Sequence, residues 1–305
     1  MLTVTVPDTD LLARLADLGD RVELLAWDLT GPLPADVAAR VQVVVIGHYW
    51  VKPDRYARLA DLPALRIVQL PSAGFEHAVP LVPTGVTVCN GRGVHSTGTA
   101  ELAVALVLAA QRDLAGAVRA MDDGRWLNPE LHSLADRRVL VVGDGSVAVA
   151  VRARLEPFEV ALTRVARTAR AGVHGIDELD ALLPDADVVV LTVPLDATTH
   201  HLLGARRLAL LPDGALVVNV ARGPVVDTAA LVAELTAGRL RAALDVTEPE
   251  PLPPDHPLWH APGTIITAHQ GGNTDATFPR TAALVRRQLE TLLVGDEPLN
   301  VVART

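Results

Sequence analysis

Short runs of valine, isoleucine and leucine recur along the chain, separated by longer stretches rich in alanine, leucine and arginine. VQVVVIG (41–47), LRIVQL (65–70) and VTVCN (86–90) stand in the first third. RRVLVVG (137–143), FEVALTRVA (158–166), ADVVVLTVP (186–194), GALVVNVA (214–221), RAALDVT (241–247) and TIITAH (264–269) follow. A strand with only one buried face alternates apolar and polar residues, whereas most of these runs have continuous apolar cores such as VVVI, VLVV and VVVL. They therefore predict strands covered on both faces, and the helical stretches between them predict parallel crossovers: an α/β fold. At 305 residues there is room for two domains, and a composition half hydrophobic and only 21% charged excludes long disorder.

Two helical segments stand out. TGTAELAVALVLAAQRDLAGAVRAMDDG (97–124) is apolar around much of its circumference, more than one sheet face can cover. A subunit interface would supply that cover, which predicts a homodimer. FPRTAALVRRQLETLLVGDEPL (278–299) predicts a terminal helix with one apolar face, stopped near Gly295.

The stretch VLVVGDGSVAVAV (139–151) is a strand, a glycine turn and a helix start. Gly143 permits the tight turn, Gly145 lets a pyrophosphate approach the backbone, and the small residue needed for helix–strand contact is Ala148. With Ser146 and Val147 opening the helix, this predicts a dinucleotide site. NAD binding calls for an acid about 20 residues onward, at the end of the next strand. Ala166 stands there, with Arg164, Arg167 and Arg170 nearby. The missing carboxylate removes repulsion from a 2′-phosphate and a guanidinium such as that of Arg167 can pair with it, so NADP is favoured over NAD. The alternative is that these arginines are solvated surface.

Arg222, Asp245, Glu250 and His269 lie at or just beyond strand ends, where ligands of parallel sheets bind. Taken singly, each has an ordinary reading as a cap, a loop acid or a satisfied loop histidine. Together they have the makings of carbonyl reduction. Histidine is the proton donor best matched to neutral pH, a carboxylate behind it fixes its tautomer, and an arginine clamps a substrate carboxylate.

PSAGFEH (71–77), TGTAELAVALVLA (97–109), VLVVGDGSVAVAV, VNVARGPVVDTAAL (218–231), ALDVTEPEPLP (243–253) and TAHQGGNT (267–274) together resemble the D-isomer-specific 2-hydroxyacid dehydrogenases, the group that includes glyoxylate/hydroxypyruvate reductases and phosphoglycerate dehydrogenases. The matches run from about residue 40 to the end. The resemblance implies two Rossmann-like domains with parallel sheets, a flavodoxin-like outer one and a dinucleotide-binding one, with the active site in the cleft between them. Residues 1–96, completed by 276–305, would form the outer domain, and 97–275 the cofactor domain. It further implies His269 as acid/base, Glu250 as its partner and Arg222 as the substrate-orienting arginine. Asp245 would lie near the nicotinamide, and the backbone amides of Ser72, Ala73 and Gly74 would meet the substrate carboxylate.

Three departures matter. The third glycine is Ala148, the NAD-type acid is Ala166, and the usual proline before the histidine is Ala268, which loosens a backbone restraint. All the catalytic side chains remain, so the expectation is a working NAD(P)-dependent enzyme acting on a small 2-oxoacid or 2-hydroxyacid. His48, Tyr49 and Trp50 follow a strand end and would line the pocket mouth, or else pack the outer domain. No second strong cation accompanies this loop, which disfavours a phosphorylated substrate, although Arg92 could approach from a neighbouring loop. 3-Phosphoglycerate, phosphite or a non-catalytic dinucleotide sensor are the alternatives.

A net charge of −9 without basic runs argues against nucleic acid as a partner, and no run suggests a signal peptide or a membrane span, so the cytoplasm is expected. One cysteine, Cys89, excludes an internal disulfide and a thiolate metal site.

Overall fold

The computed structural model describes residues 1–47 and 51–305. It divides into two compact units, Met1–His95 with Asp275–Thr305, and Ser96–Thr274. His48, Tyr49 and Trp50 lie outside the described residues, and with them the expected aromatic wall.

In the first unit the strands are β1 (Leu2–Val6), β2 (Val22–Ala26), β3 (Val43–Val45), β4 (Ile67–Gln69) and β5 (Thr87–Cys89). They form a parallel sheet ordered 2-1-3-4-5, the flavodoxin-like order. β1 and β2 have no counterpart among the runs identified from sequence. β1 alternates threonine with valine and buries all five residues, so the polar threonines concealed it.

The second unit holds β6 (Arg138–Val142), β7 (Ala161–Ala166), β8 (His174–Gly175), β9 (Val188–Leu191), β10 (Leu216–Asn219), β11 (Arg241–Leu244) and β12 (Thr264–Ile266). All pair in parallel in the order β12-β11-β10-β9-β6-β7-β8, the doubly wound dinucleotide-binding arrangement. The direction of winding reverses between β6 and β9, and Gly143 directly follows β6 at that switch point. Separate apolar clusters cover the two faces of this sheet, one around Leu140, Val189 and Val217 and the other around Val141, Val190 and Val218. Adjacent residues of one strand thus belong to opposite cores, which is why the central strands are almost wholly apolar. β13 (Val301–Arg304) returns to the first sheet and pairs antiparallel with β5.

The terminal helix spans Thr277–Leu293, and Gly295 after it takes φ +85°. Its face carrying Ala282, Val285 and Leu289 packs into the first unit's core with Leu11 and Leu15. The expected single helix over 97–124 is instead two, Ser96–Gln111 and Leu114–Asp122. Asp113 breaks it by adopting φ +41° and capping the second helix with its own carboxylate, which accepts from the Gly116 N–H at 3.1 Å. Much of the first helix is covered from within the unit, by the sheet and by the Ser146–Leu155 helix, through Ala100, Ala103, Val107, Ala148 and Val151. The need for cover therefore moves to the second helix, where Leu114, Val118 and Met121 are exposed.

Candidate active site

The glycine turn follows from the physics of two neighbouring strands. Gly143 has φ +118°, and a Cβ there would lie 2.4 Å from Thr192 Oγ1, just past β9. Both the dihedral and the close approach exclude a side chain. Gly145 differs: its φ is −78°, and a Cβ would meet no protein atom within 4 Å. The fold itself therefore does not demand glycine at 145, which fits a position reserved for an approaching phosphate. Ser146–Leu155 is the helix that opens there, capped by Gly145, and its first N–H groups have no partners within the helix. Ser146 Oγ accepts from Ser96 Oγ at 2.8 Å, while Ala148, fully buried, makes the helix–strand contact.

Asp144 has a role the sequence did not disclose. Its carboxylate, largely buried, takes Arg152 at 2.6 Å, Arg164 at 3.2 Å, and Arg170. Burial, together with the neighbouring Arg164, lowers the pKa of the Arg152 guanidinium. Two of the arginines expected to face a 2′-phosphate are thus engaged by Asp144. Arg167 is different, being highly exposed just beyond β7 and paired through Nη2 with Asp196 at 2.5 Å. Ala166, the last residue of β7, is buried and brings no carboxylate to the strand end.

Arg222, Asp245 and His269 follow β10, β11 and β12, three adjacent strands, and so stand along one edge of the unit. Asn219, buried at the end of β10, shapes the Arg222 loop. Its Oδ1 accepts from the Ala221 N–H at 3.0 Å, and its Nδ2 donates to the Arg222 carbonyl at 2.9 Å. Arg222 Nη1 donates to the Ala221 carbonyl at 2.7 Å.

His269 Nδ1 and Glu250 Oε1 are 2.6 Å apart, each side chain about a quarter exposed. A carboxylate on Nδ1 fixes that nitrogen as the proton-bearing one and restrains the orientation of the ring. His269 itself has φ +50°, a left-handed conformation unusual for a side chain of this size. The turn around it is held by Asp245, whose buried carboxylate accepts from Thr267 Oγ1 at 2.6 Å and from the N–H groups of Gln270 and Gly271 at 2.8 and 3.0 Å. The restraint that a proline at 268 would give is supplied from below. The Asp245 oxygens are directed into this turn. Asn219 and Thr267 were not singled out from sequence, because neither is a reactive side chain: Asn219 fixes backbone and Thr267 donates to the Asp245 carboxylate.

In the first unit, the loop after β4 carries Ser72, Ala73 and Gly74. Its carbonyls accept from the Gly91 N–H at 2.6 Å, Asn90 Nδ2 at 2.6 Å and Ser72 Oγ at 2.9 Å, respectively. Cys89 is fully buried, and burial pushes its thiol up to about 11, so it is no nucleophile at neutral pH.

Residues 104–271 match the family model for the D-isomer specific 2-hydroxyacid dehydrogenase NAD binding domain. A glyoxylate reductase of Thermofilum pendens is 35% identical over 77% of this chain and 74% of its own length. A D-3-phosphoglycerate dehydrogenase of Methanocaldococcus jannaschii is 33% identical over 72% of this chain but only 43% of its own. A D-isomer specific 2-hydroxyacid dehydrogenase from Xanthobacter autotrophicus Py2, solved with NADPH and MES, superposes with a TM-score of 0.83 at 29% identity, covering 99% of this chain and 98% of that one. Among the described residues, no helix is long and apolar enough to cross a membrane.

Proposed function

The chain belongs to the D-isomer specific 2-hydroxyacid dehydrogenase family, and on that premise we propose that it reversibly reduces a small 2-oxoacid of the glyoxylate or hydroxypyruvate kind, with His269 as its acid/base. The observation that carries this reading is the 2.6 Å pair between His269 Nδ1 and Glu250 Oε1. The Gly143–Val147 turn would hold a nicotinamide dinucleotide, which when bound would supply or accept the hydride at C2. In reduction, protonated His269 gives the Nε2 proton to the developing alkoxide; in oxidation, the same nitrogen takes it back. Glu250 stabilises the imidazolium and keeps the ring in one orientation. Arg222 offers a substrate carboxylate two parallel N–H bonds, and Ser72, Ala73 and Gly74 offer backbone amides to such a group.

Within the cofactor class, NADP is the proposed partner. Ala166 brings no carboxylate to repel a 2′-phosphate, and Arg167 presents an exposed guanidinium just beyond it, of whose five N–H donors the Asp196 pair uses only one end. The NADPH bound by the Xanthobacter relative supports the same choice. The exposed apolar side chains over 114–131, with Trp126 the most exposed, support a homodimer, and the reading carries with it a cytoplasmic location.

The test is turnover of NADPH and NADH, followed by absorbance, against small 2-oxoacids, with His269→Ala as control. Turnover of glyoxylate or hydroxypyruvate, lost in the variant, is expected. Turnover of the variant within a factor of about three of the parent would remove His269 from its role. An NADH preference would overturn the Arg167 assignment alone.

A further inference from the structure

The loops after β9 and β11 hold three ligating side chains that the dehydrogenase chemistry does not use. We propose that His200, His201 and Glu248 form a binding site for a zinc ion. β10 lies between β9 and β11, so the loops that follow these two strands straddle the Arg222–Pro224 segment after β10.

The two histidines are consecutive, and in an extended chain their rings would point to opposite sides. They do not, because His201 adopts φ +49° and turns the backbone. The rings stack instead, with centroids 4.0 Å apart and planes inclined by 27°. The backbone beneath them is pinned: the His200 N–H donates to the Asp196 carbonyl at 2.9 Å, and the His201 N–H to the Pro224 carbonyl at 2.7 Å. The third ligand is equally fixed at its base. A Cβ on Gly223 would lie 1.8 Å from the Thr247 carbonyl oxygen and 2.8 Å from the Glu248 nitrogen, so the strap carrying Glu248 sits directly on the β10 loop.

The donor atoms converge. His201 Nε2 and Glu248 Oε2 are 3.3 Å apart, and one ligand atom from each of the three residues lies within 4.8 Å of the others. Tetrahedral zinc, with bonds of about 2.0–2.1 Å to nitrogen and oxygen, sets its ligands about 3.4 Å apart. One edge already has that length. The other ligand atoms stand within 4.8 Å, and the exposed His200 ring would rotate to complete the site. An ion pair between His201 and Glu248 would need no second imidazole beside it, and two protonated rings stacked at this distance would repel. Two neutral imidazoles and one carboxylate form a donor set for zinc, whereas calcium and magnesium demand oxygen. Three protein ligands on an exposed surface leave the fourth position to water, which suits micromolar rather than structural affinity. Bound zinc would tie the turn after β9 to the Thr247–Glu250 strap.

The experiment is a calorimetric titration of zinc into the tag-free, chelator-stripped protein. One equivalent is expected at micromolar affinity, with a rise in Tm that chelator reverses. His201→Ala and Glu248→Gln should each weaken binding by about tenfold or more, with the far-UV spectrum unchanged. Cobalt in place of zinc should give the visible bands of a four-coordinate site, lost in the His200→Ala/His201→Ala variant. Absence of saturable binding below about 100 µM would overturn the proposal. So would binding that survives the double variant. Because the readout is metal binding, its outcome is independent of whether the stripped protein turns over a 2-oxoacid.

Discussion

The backbone N–H of His269 donates to the carbonyl of Asp245 at 2.8 Å, and the Asp245 carboxylate takes three further donors from the same turn, at Thr267, Gln270 and Gly271. The strained φ of His269 is thereby over-determined by one buried residue of the neighbouring strand end. Asp245→Asn puts an amide donor opposite the Gly271 or the Gln270 N–H. The loss should be about 1–3 kcal/mol, read as a fall in Tm of several degrees, together with reduced turnover in a protein that still folds. An unchanged Tm and kcat would mean that the turn is held by something else.

His269→Gln removes the proton donor while preserving size and polarity. Turnover should fall by about 10²–10⁴ with dinucleotide affinity nearly unchanged. Glu250→Gln keeps a hydrogen-bond acceptor on Nδ1 but loses the charge, so the fall in kcat should be smaller than for His269. If Glu250→Gln were as active as the parent, the 2.6 Å pair would have no part in turnover.

The two glycines of the turn should separate folding from binding. Gly143→Ala meets Thr192 at 2.4 Å in a left-handed conformation and should destabilise the cofactor unit. Gly145→Val meets no protein atom within 4 Å at its Cβ and has an ordinary φ, so Tm should hold while dinucleotide affinity falls. Equal losses of stability in both would sink the assignment of Gly145 to phosphate approach.

Asp180 accepts from Arg206 at 2.5 Å and from Arg207 at 2.7 Å, and these hydrogen bonds hold its carboxyl down at about 2. A depressed folded-state value stabilises the fold above the ordinary carboxylate value of about 3.9, and that contribution is lost as pH falls toward the folded value. Asp180→Asn should therefore lower Tm at pH 6 in low salt, the gap shrinking as pH is taken below about 4. The pair is partly exposed and the effect correspondingly small. A gap of constant size down to pH 3 would contradict this origin.

Val118 and Met121 are exposed on the Leu114–Asp122 helix, with Trp126 just beyond it. Val118→Asp/Met121→Asp should convert a dimer into a monomer in analytical ultracentrifugation without unfolding it. A parent protein that sediments as a monomer would remove the dimer from the proposal.

The continuously apolar strands, such as VLVV and VVVL, determined by sequence alone that a parallel sheet would be covered on both faces, because every residue of such a strand must face a core. The order of the motifs likewise determined the family, and the spacing of Arg222, Glu250 and His269 behind successive strands marked the candidate site. Only the tertiary structure disclosed the bonds by which the Asp245 carboxylate holds the His269 turn, since a carboxylate's hydrogen-bond partners leave no signature in a sequence. The break at Asp113 belongs to it as well, because an aspartate inside an apolar run discloses its left-handed cap only when the backbone is seen. So do the arginine cluster on Asp144 and the convergence of His200 and His201 on Glu248. Each joins residues that are distant in sequence or wrongly phased along it, and charge pairs of that kind are set by where strand ends meet, not by any local period.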